Sequence, residues 1–192
     1  MIRTISMIAA TVMVFTNIAL AADAPLTVDT AKRFVSSLES VESLGEEFVT
    51  NGKADKLMID VQPKANEKFK PYSNAVFALK EKYPSDYSRL NSAVKPHGFS
   101  AEEWGAAGDR VMIAYMALKM EKENPQAMTQ MQAMDPSMMA MLPPDMKQQF
   151  EQAQIMMETI SSASDEDKKI VAEVADDLDD YMDRTADAHS GH

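Results

Sequence analysis

The chain has 192 residues, with 30 acidic and 19 basic side chains, 17 methionines and no cysteine. A net charge of −11 repels phosphate backbones and anionic headgroups, which argues against nucleic acid and against direct electrostatic membrane binding. Disulfides and thiol nucleophiles are excluded, so the stability of the fold must come from apolar burial.

The first 21 residues have the pattern of a cleaved export signal. Arg3 is followed by an apolar stretch from Ile5 to Leu20 that closes with Ala19-Leu20-Ala21, small residues at the positions a signal peptidase reads. The stretch is shorter than the about 20 apolar residues of a spanning helix. We therefore expect cleavage after Ala21 and a periplasmic or secreted protein with one helical domain over 22–185.

The first helix is predicted from about Asp29 to the Asn51-Gly52 cap, because apolar residues recur on one stripe. That stripe consists of Phe34, Leu38, Val41 and Phe48. The segment 53–70 has no clear periodicity and is interrupted by Pro63, so the sequence leaves it open as short helix or loop.

Two further helices are bounded by prolines. Pro71 suits a first helical position, and the helix that follows should end before Pro84. Its predicted apolar face is Tyr72, Val76, Leu79 and Tyr83. The next, shorter helix carries Tyr87, Leu90 and Val94 on one face.

The clearest local signal lies at Gly98 to Trp104. Ser100 and Glu103 have the spacing of a capping box, and Phe99 and Trp104 occupy the two positions of a hydrophobic staple. We predict a helix from here to about Lys122 and a buried Trp104 packed against the stripe of the first helix. This helix has two apolar sides, which predicts that it is either central or carries something on its second side. Trp104, Val111, Tyr115 and Leu118 lie on one side, and Met112, Met116 and Met120 on the other.

The last part of the domain is predicted to contain two helices after a methionine-rich segment broken by Asp135-Pro136 and Pro143-Pro144. The stripe of the first of these is Met146, Phe150, Ala153, Met157 and Ile160. Ser164 starts the second, whose stripe is Ile170, Val171, Val174, Leu178 and Tyr181, and 186–192 is expected to be a flexible tail. The prediction is an all-α, single-domain bundle of five to six amphipathic helices.

No catalytic constellation is recognisable, so we do not expect an enzyme. His97 could act as a base or ligand but is more often a turn residue at this spacing. A carboxylate cluster on the last helix could bind Ca²⁺, yet no calcium loop is present and a solvated helix face is the simpler interpretation. The cluster consists of Asp176, Asp179, Asp180 and Asp183.

Methionine is the one compositional anomaly, and most of the 17 lie between Met112 and Met157. Flexible, polarizable thioethers suit promiscuous apolar surfaces, which predicts a binding protein for a hydrophobic ligand or for an unfolded or lipid-bearing partner, with no cofactor. The predicted binding residues are Met112, Met116, Met120, Met128, Met131, Met134, Met138, Met139 and Met141. Plain core packing is a further possibility.

Thioether sulfur also binds Cu(I), so a copper-handling protein is the alternative. Its ligands would be Met128, Met131, Met134, His189 and His192. If the methionines form an apolar binding surface, we expect Met128 to Leu142 to be a loosely packed flap over the side of the central helix that carries Met112, Met116 and Met120. The short helical pieces of this segment are marginal in water.

Overall fold

A computed structural model describes residues 25–62, 68–123, 125–126 and 143–190. This part of the chain is all-helical, with no strand, and its helices pack as one body. The helices are α1 (Val28–Thr50), α2 (Ala54–Val61), α3 (Pro71–Lys82), α4 (Pro84–Val94), α5 (Ala101–Glu123), α6 (Pro144–Ser161), α7 (Asp165–Ala172) and α8 (Ala175–Ser190), with a 3₁₀ turn at Lys95–His97 between α4 and α5.

Helix α5 is the centre of the bundle, which is one of the two alternatives that its two apolar sides left open. It contacts α1, α3, α4, α6 and α7, and its buried residues are distributed around the whole helix rather than along one stripe. Trp104 is 7% exposed and packs against Phe34 of α1, with 5.5 Å between ring centroids. The predicted burial of Trp104 is confirmed.

Local signals place the helix starts. Ser100 accepts the N–H of Glu103 at 3.2 Å while its own N–H donates to the Glu103 carboxylate at 2.8 Å, which confirms the capping box. Ser164 accepts the N–H of Asp167 at 3.0 Å, and Pro71 is the first residue of α3. Gly52 lies two residues after the end of α1 and has a φ of 65°, a conformation that glycine adopts without strain.

The number of helices is higher than predicted: the described part of the chain contains eight, not five to six. Part of the difference is α2, which occupies the segment that sequence periodicity left open. The other part is a break in the last predicted helix at Glu173, where the N–H groups of Glu173 and Val174 bond to carbonyls three residues back. Val171, Val174 and Leu178 all remain buried across this break, so burial in the core accommodates it.

Two further predictions differ from the structure. The backbone of α8 continues to Ser190, into the segment expected as a tail. The apolar stripe of α6 is only partly covered among the residues described, since Met146 is 54% exposed and burial is complete only at Ile160. The export segment 1–21 and the proposed flap, 128–142, lie outside the described residues.

Candidate functional site

The most apolar concave feature among the described residues is a pocket bounded by side chains of α1 to α5. Its volume is about 340 Å³, within the range of small-molecule sites, and its surface is almost wholly carbon. We call it the apolar pocket; it is lined by Val41, Leu44, Gly45, Phe48, Leu57, Pro71, Tyr72, Ala75, Val76, Leu79, Leu90 and Trp104.

The long walls of the pocket are α1 and α3, and a glycine creates space between them. A Cβ atom built at Gly45 would have no heavy atom within 4 Å. The neighbouring turns of α1 provide Val41, Leu44 and Phe48, so Gly45 interrupts an otherwise bulky stripe. A side chain at this position would enter the pocket.

Close contact between α3 and α5 holds the second wall in place. A Cβ at Gly105 would lie 3.0 Å from Val76, and one at Gly108 would lie 2.7 Å from the Tyr72 ring. Both distances are shorter than ordinary carbon contacts of about 4 Å. Glycine at these positions lets α3 approach α5 until the Tyr72 ring lies directly over the α5 backbone.

Asp109 of α5 fixes the first turn of α3. Its buried carboxylate accepts the backbone N–H of Tyr72 at 2.7 Å and of Ser73 at 3.2 Å. The residue before Pro71 is Lys70, whose side chain makes no capping hydrogen bond, so the cap comes from a different helix. Burial raises the pKa of Asp109, although the hydrogen bonds from Ser73 and Tyr72 act in the opposite direction.

An aromatic cluster forms one end of the pocket. Tyr72 meets Phe34 and Trp104 edge to face, with 5.7 and 5.4 Å between ring centroids. The Trp104 indole N–H donates to the Ser37 hydroxyl at 2.8 Å, and that hydroxyl donates to the Phe34 carbonyl at 2.6 Å. Burial raises the pKa of Tyr72 to about 12, which keeps the phenol neutral. The cluster is therefore rigid and uncharged.

Charged residues lie at the opposite end, beside Phe48. The Lys53 ammonium lies 5.3 Å from the ring centroids of both Phe48 and Tyr83, and it donates to the Asp86 carboxylate at 2.9 Å. Arg89 donates to both oxygens of Glu47 at 2.7 Å, and this hydrogen bonding lowers the pKa of Glu47.

Among the described residues, the predicted methionine site and the apolar pocket share no side chain. On α5, Met112 is buried in the core, whereas Met116 and Met120 are half-buried. None of the pocket-lining residues named above is a methionine. His189 lies in α8 but its side chain is not described, and the remaining predicted ligands lie outside the described residues: Met128, Met131, Met134, Met138, Met139, Met141 and His192.

His97 is a turn residue, as the simpler interpretation of the sequence has it. It lies in the 3₁₀ turn before α5, and its imidazole contacts two serines of α1: Nε2 is 3.0 Å from the Ser40 hydroxyl and Nδ1 is 3.3 Å from that of Ser36. Its carbonyl accepts from Arg33 at 3.1 Å. These contacts connect the start of α5 to α1.

The carboxylates of α8 are not one solvated face, because Asp179 is turned toward α5. It accepts a hydrogen bond from the Tyr115 hydroxyl and lies 3.3 Å from the Lys119 ammonium, and the bond from Tyr115 lowers the pKa of Asp179. Asp176, Asp180 and Asp183 are exposed. Over the described ranges, no group of three or more metal-binding side chains is brought together.

A second, polar groove of about 440 Å³ lies between α1 and α8. Arg184 crosses it, stacking over Tyr181 at 5.4 Å and donating to Glu39 at 2.6 Å. The walls of this groove mix acidic and basic side chains, and Arg184 is already paired with Glu39. The groove is therefore a weaker candidate for a ligand site than the apolar pocket.

No protein-family model, curated protein or solved structure matches this chain. Among the helices in the described part of the chain, none is both long enough and apolar enough to cross a bilayer.

Sequence reasoning missed the apolar pocket, although one signal pointed to it. Gly45 interrupts a strongly amphipathic helix on its apolar side, where glycine costs about 1 kcal/mol relative to alanine. An unfavoured residue at an apolar helical position indicates that space is needed there. The abundance of methionine led us to predict the binding residues between Met112 and Met141 instead.

Proposed function

We propose that this chain is an exported binding protein that holds a small hydrophobic ligand in the apolar pocket. The observation that carries the proposal is the pocket itself, about 340 Å³ of space between α1 and α3 with walls of carbon. Exposed apolar surface in water is unfavourable by about 25 cal/mol per Å², so an apolar ligand of matching shape gains free energy by covering it.

Binding fits the arrangement better than catalysis does. A catalytic site needs positioned acid, base or nucleophilic groups near the reacting atoms, and none of the residues lining the pocket provides one apart from the neutral Tyr72 phenol. The aromatic cluster and the Asp109 cap fix the pocket walls, which favours a preformed cavity over one assembled around its ligand.

The methionine residues keep a separate role in the proposal. Met112, Met116 and Met120 lie about 80° to 160° around α5 from Trp104, at 100° per residue, and so lie on a different side of α5 from the pocket. A flap formed by Met128 to Leu142 over this second side remains a prediction, as do binding of an unfolded or lipid-bearing partner there and the Cu(I) alternative.

The test uses a neutral fluorescent probe, N-phenyl-1-naphthylamine, with Trp104 as the energy donor because it lines the pocket. Gly45→Phe places a ring in the open space at Gly45 and should weaken probe binding at least tenfold. Gly45→Ala adds only a methyl group, keeps the helix, and is the matched control that should bind nearly as the parent does. Circular dichroism and a thermal melt verify that both variants are folded.

A surface variant distinguishes probe binding in the apolar pocket from nonspecific binding to exposed apolar side chains. Phe77 is 66% exposed on α3 and does not line the pocket, so Phe77→Ser should leave probe affinity unchanged. Equal probe affinity in the parent and Gly45→Phe, or loss of binding in Phe77→Ser alone, would show that the apolar pocket is not the binding site.

A further inference from the structure

The lining of the apolar pocket limits what a ligand can place inside it. The Trp104 N–H already donates to Ser37, and apart from Tyr72 the other lining residues have hydrocarbon side chains or none. A polar group buried without a hydrogen-bond partner loses about 1 to 3 kcal/mol. The enclosed part of a ligand should therefore be hydrocarbon.

The lining of the pocket follows about two turns of both α1 and α3. On α1 its lining extends from Val41 to Phe48 and on α3 from Pro71 to Leu79, which corresponds to roughly 10 to 12 Å along each helix at 1.5 Å per residue. Its volume of about 340 Å³ equals about eleven water-sized groups at roughly 30 Å³ each. Length and volume together match one alkyl chain of about eight to twelve carbons.

A cation is positioned at one end of this space. Lys53 lies over the ring of Phe48, a lining residue, and its ammonium has three N–H donors, one of which goes to Asp86. Asp86 also lies 3.5 Å from Arg89, so the carboxylate of Asp86 has a second cation nearby. Lys53 can thus donate to a further anion without leaving Asp86 unpaired.

From these observations, and resting on the proposed function, we propose that the ligand is a medium-chain carboxylic acid. Its alkyl chain fills the apolar pocket with the methyl end toward Tyr72 and Trp104, and its carboxylate accepts a hydrogen bond from Lys53 outside the Phe48 end.

Chain length tests the first half of the assignment. Octanoate, decanoate, dodecanoate and tetradecanoate are titrated below their micelle concentrations, with affinity read from Trp104 fluorescence and from calorimetry. Each added CH₂ should raise affinity about three- to fourfold until the pocket is full, and the gain should have stopped by about twelve carbons. A hydroxyl on the last carbon of decanoate should weaken binding at least about fivefold. A 2-naphthoate affinity above that of every straight-chain acid would overturn the elongated-chain assignment.

The head group is tested by the ratio of decanoate to 1-decanol affinity, because both share one chain. Lys53→Gln should lower this ratio about two- to fivefold, the range of a partly exposed ion pair. Lys56→Gln, at an exposed lysine of α2, is the matched control and should leave it unchanged. Asp86→Asn removes the competing carboxylate and should raise the ratio, which a purely structural role for Lys53 does not predict.

The two proposals fail in different ways. An unchanged ratio in Lys53→Gln, or equal affinity of the parent for decanoate and decanol, overturns the carboxylate assignment while probe binding in the pocket still stands. Absence of binding by the probe, the acids and the alcohol alike overturns the proposed function itself.

Discussion

Asp109 should be one of the most sensitive positions in the protein, because one carboxylate connects the central helix to a wall of the apolar pocket. Replacing it by alanine leaves the N–H groups of Tyr72 and Ser73 without the acceptor that now lies 2.7 and 3.2 Å away. Loss of an N-terminal cap costs about 0.5 to 2 kcal/mol. A buried donor left unpaired costs about 1 to 3 kcal/mol.

The net loss should lie near the lower end of the summed costs. Tyr72 and Ser73 are half-buried, so water can replace part of the lost bonding, and removing a buried carboxylate relieves its desolvation. We expect Asp109→Ala to lower the free energy of unfolding by about 2 kcal/mol, which in a protein of this size corresponds to a fall of roughly 4 to 8 °C in Tm. Asp109→Asn keeps one oxygen acceptor and should cost about half as much.

The raised pKa of Asp109 gives this prediction a pH dependence. In the folded protein, burial raises the pKa above its ordinary value of 3.8, so the folded state holds the proton more tightly than the unfolded state does. The contribution of Asp109 to stability is then fully present below about pH 3.8 and is lost as pH rises through the folded pKa. Relative to Asp109→Asn, the parent should lose stability across this window.

Urea unfolding of both proteins at closely spaced pH values measures the difference, with Asp180→Asn, at an exposed carboxylate, as the control that should show no such trend. A parent that gains stability over Asp109→Asn with rising pH would refute the reasoning, because the amide hydrogen bonds would then outweigh burial. A loss of less than about 0.5 kcal/mol in Asp109→Ala would show that α3 does not depend on this cap.

Alanine substitutions at two glycines should change stability in opposite directions. Gly45→Ala should raise the free energy of unfolding by about 0.5 to 1 kcal/mol. Gly108→Ala should lower it by about 1 to 3 kcal/mol, because the added Cβ meets ring atoms at 2.7 Å. Urea melts that gave both variants the same sign would contradict the packing described. Ser37→Ala should cost about 1 to 2 kcal/mol by leaving the Trp104 N–H unpaired, and iodide should quench Trp104 in the parent far less than free tryptophan. Intact mass of protein from the cell envelope should correspond to a chain starting at Ala22; a full-length mass would contradict cleavage. The methionines of the proposed flap should be replaced jointly by leucine; they are Met128, Met131, Met134, Met138, Met139 and Met141. This replacement should preserve hydrophobic-probe binding and abolish any tight Cu(I) binding of the parent. A parent with tight Cu(I) binding and no probe affinity would favour the copper alternative.

Helix positions could be predicted wherever a local signal decided them. Ser100 and Ser164 cap helices through their own side chains, and Pro71 fits a first helical turn regardless of its surroundings. The break after α7 could not be predicted in this way, because Val171, Val174 and Leu178 have the spacing of one continuous helix. Only the packing of α7 against α5 and α1 reveals that the chain bends there.

Two features of the candidate site were beyond sequence reasoning for a physical reason. An aspartate within a helix, such as Asp109, has the same local pattern whether it faces water or caps a different helix, and only the approach of α3 decides between them. A pocket is a property of the spacing between helices. The sequence places Leu44 and Phe48 on one face, but not the distance from that face to α3.

Gly45 joins the stability argument to the functional one. A helix interior gains about 1 kcal/mol when glycine is replaced by alanine, and at this position the added methyl would meet no atom within 4 Å. Gly45 is itself exposed, and a larger apolar side chain there would cover part of the apolar lining of the pocket. Both effects would make the protein more stable and its pocket smaller. A glycine that forgoes stability to keep this space open would be consistent with the proposed ligand site between α1 and α3.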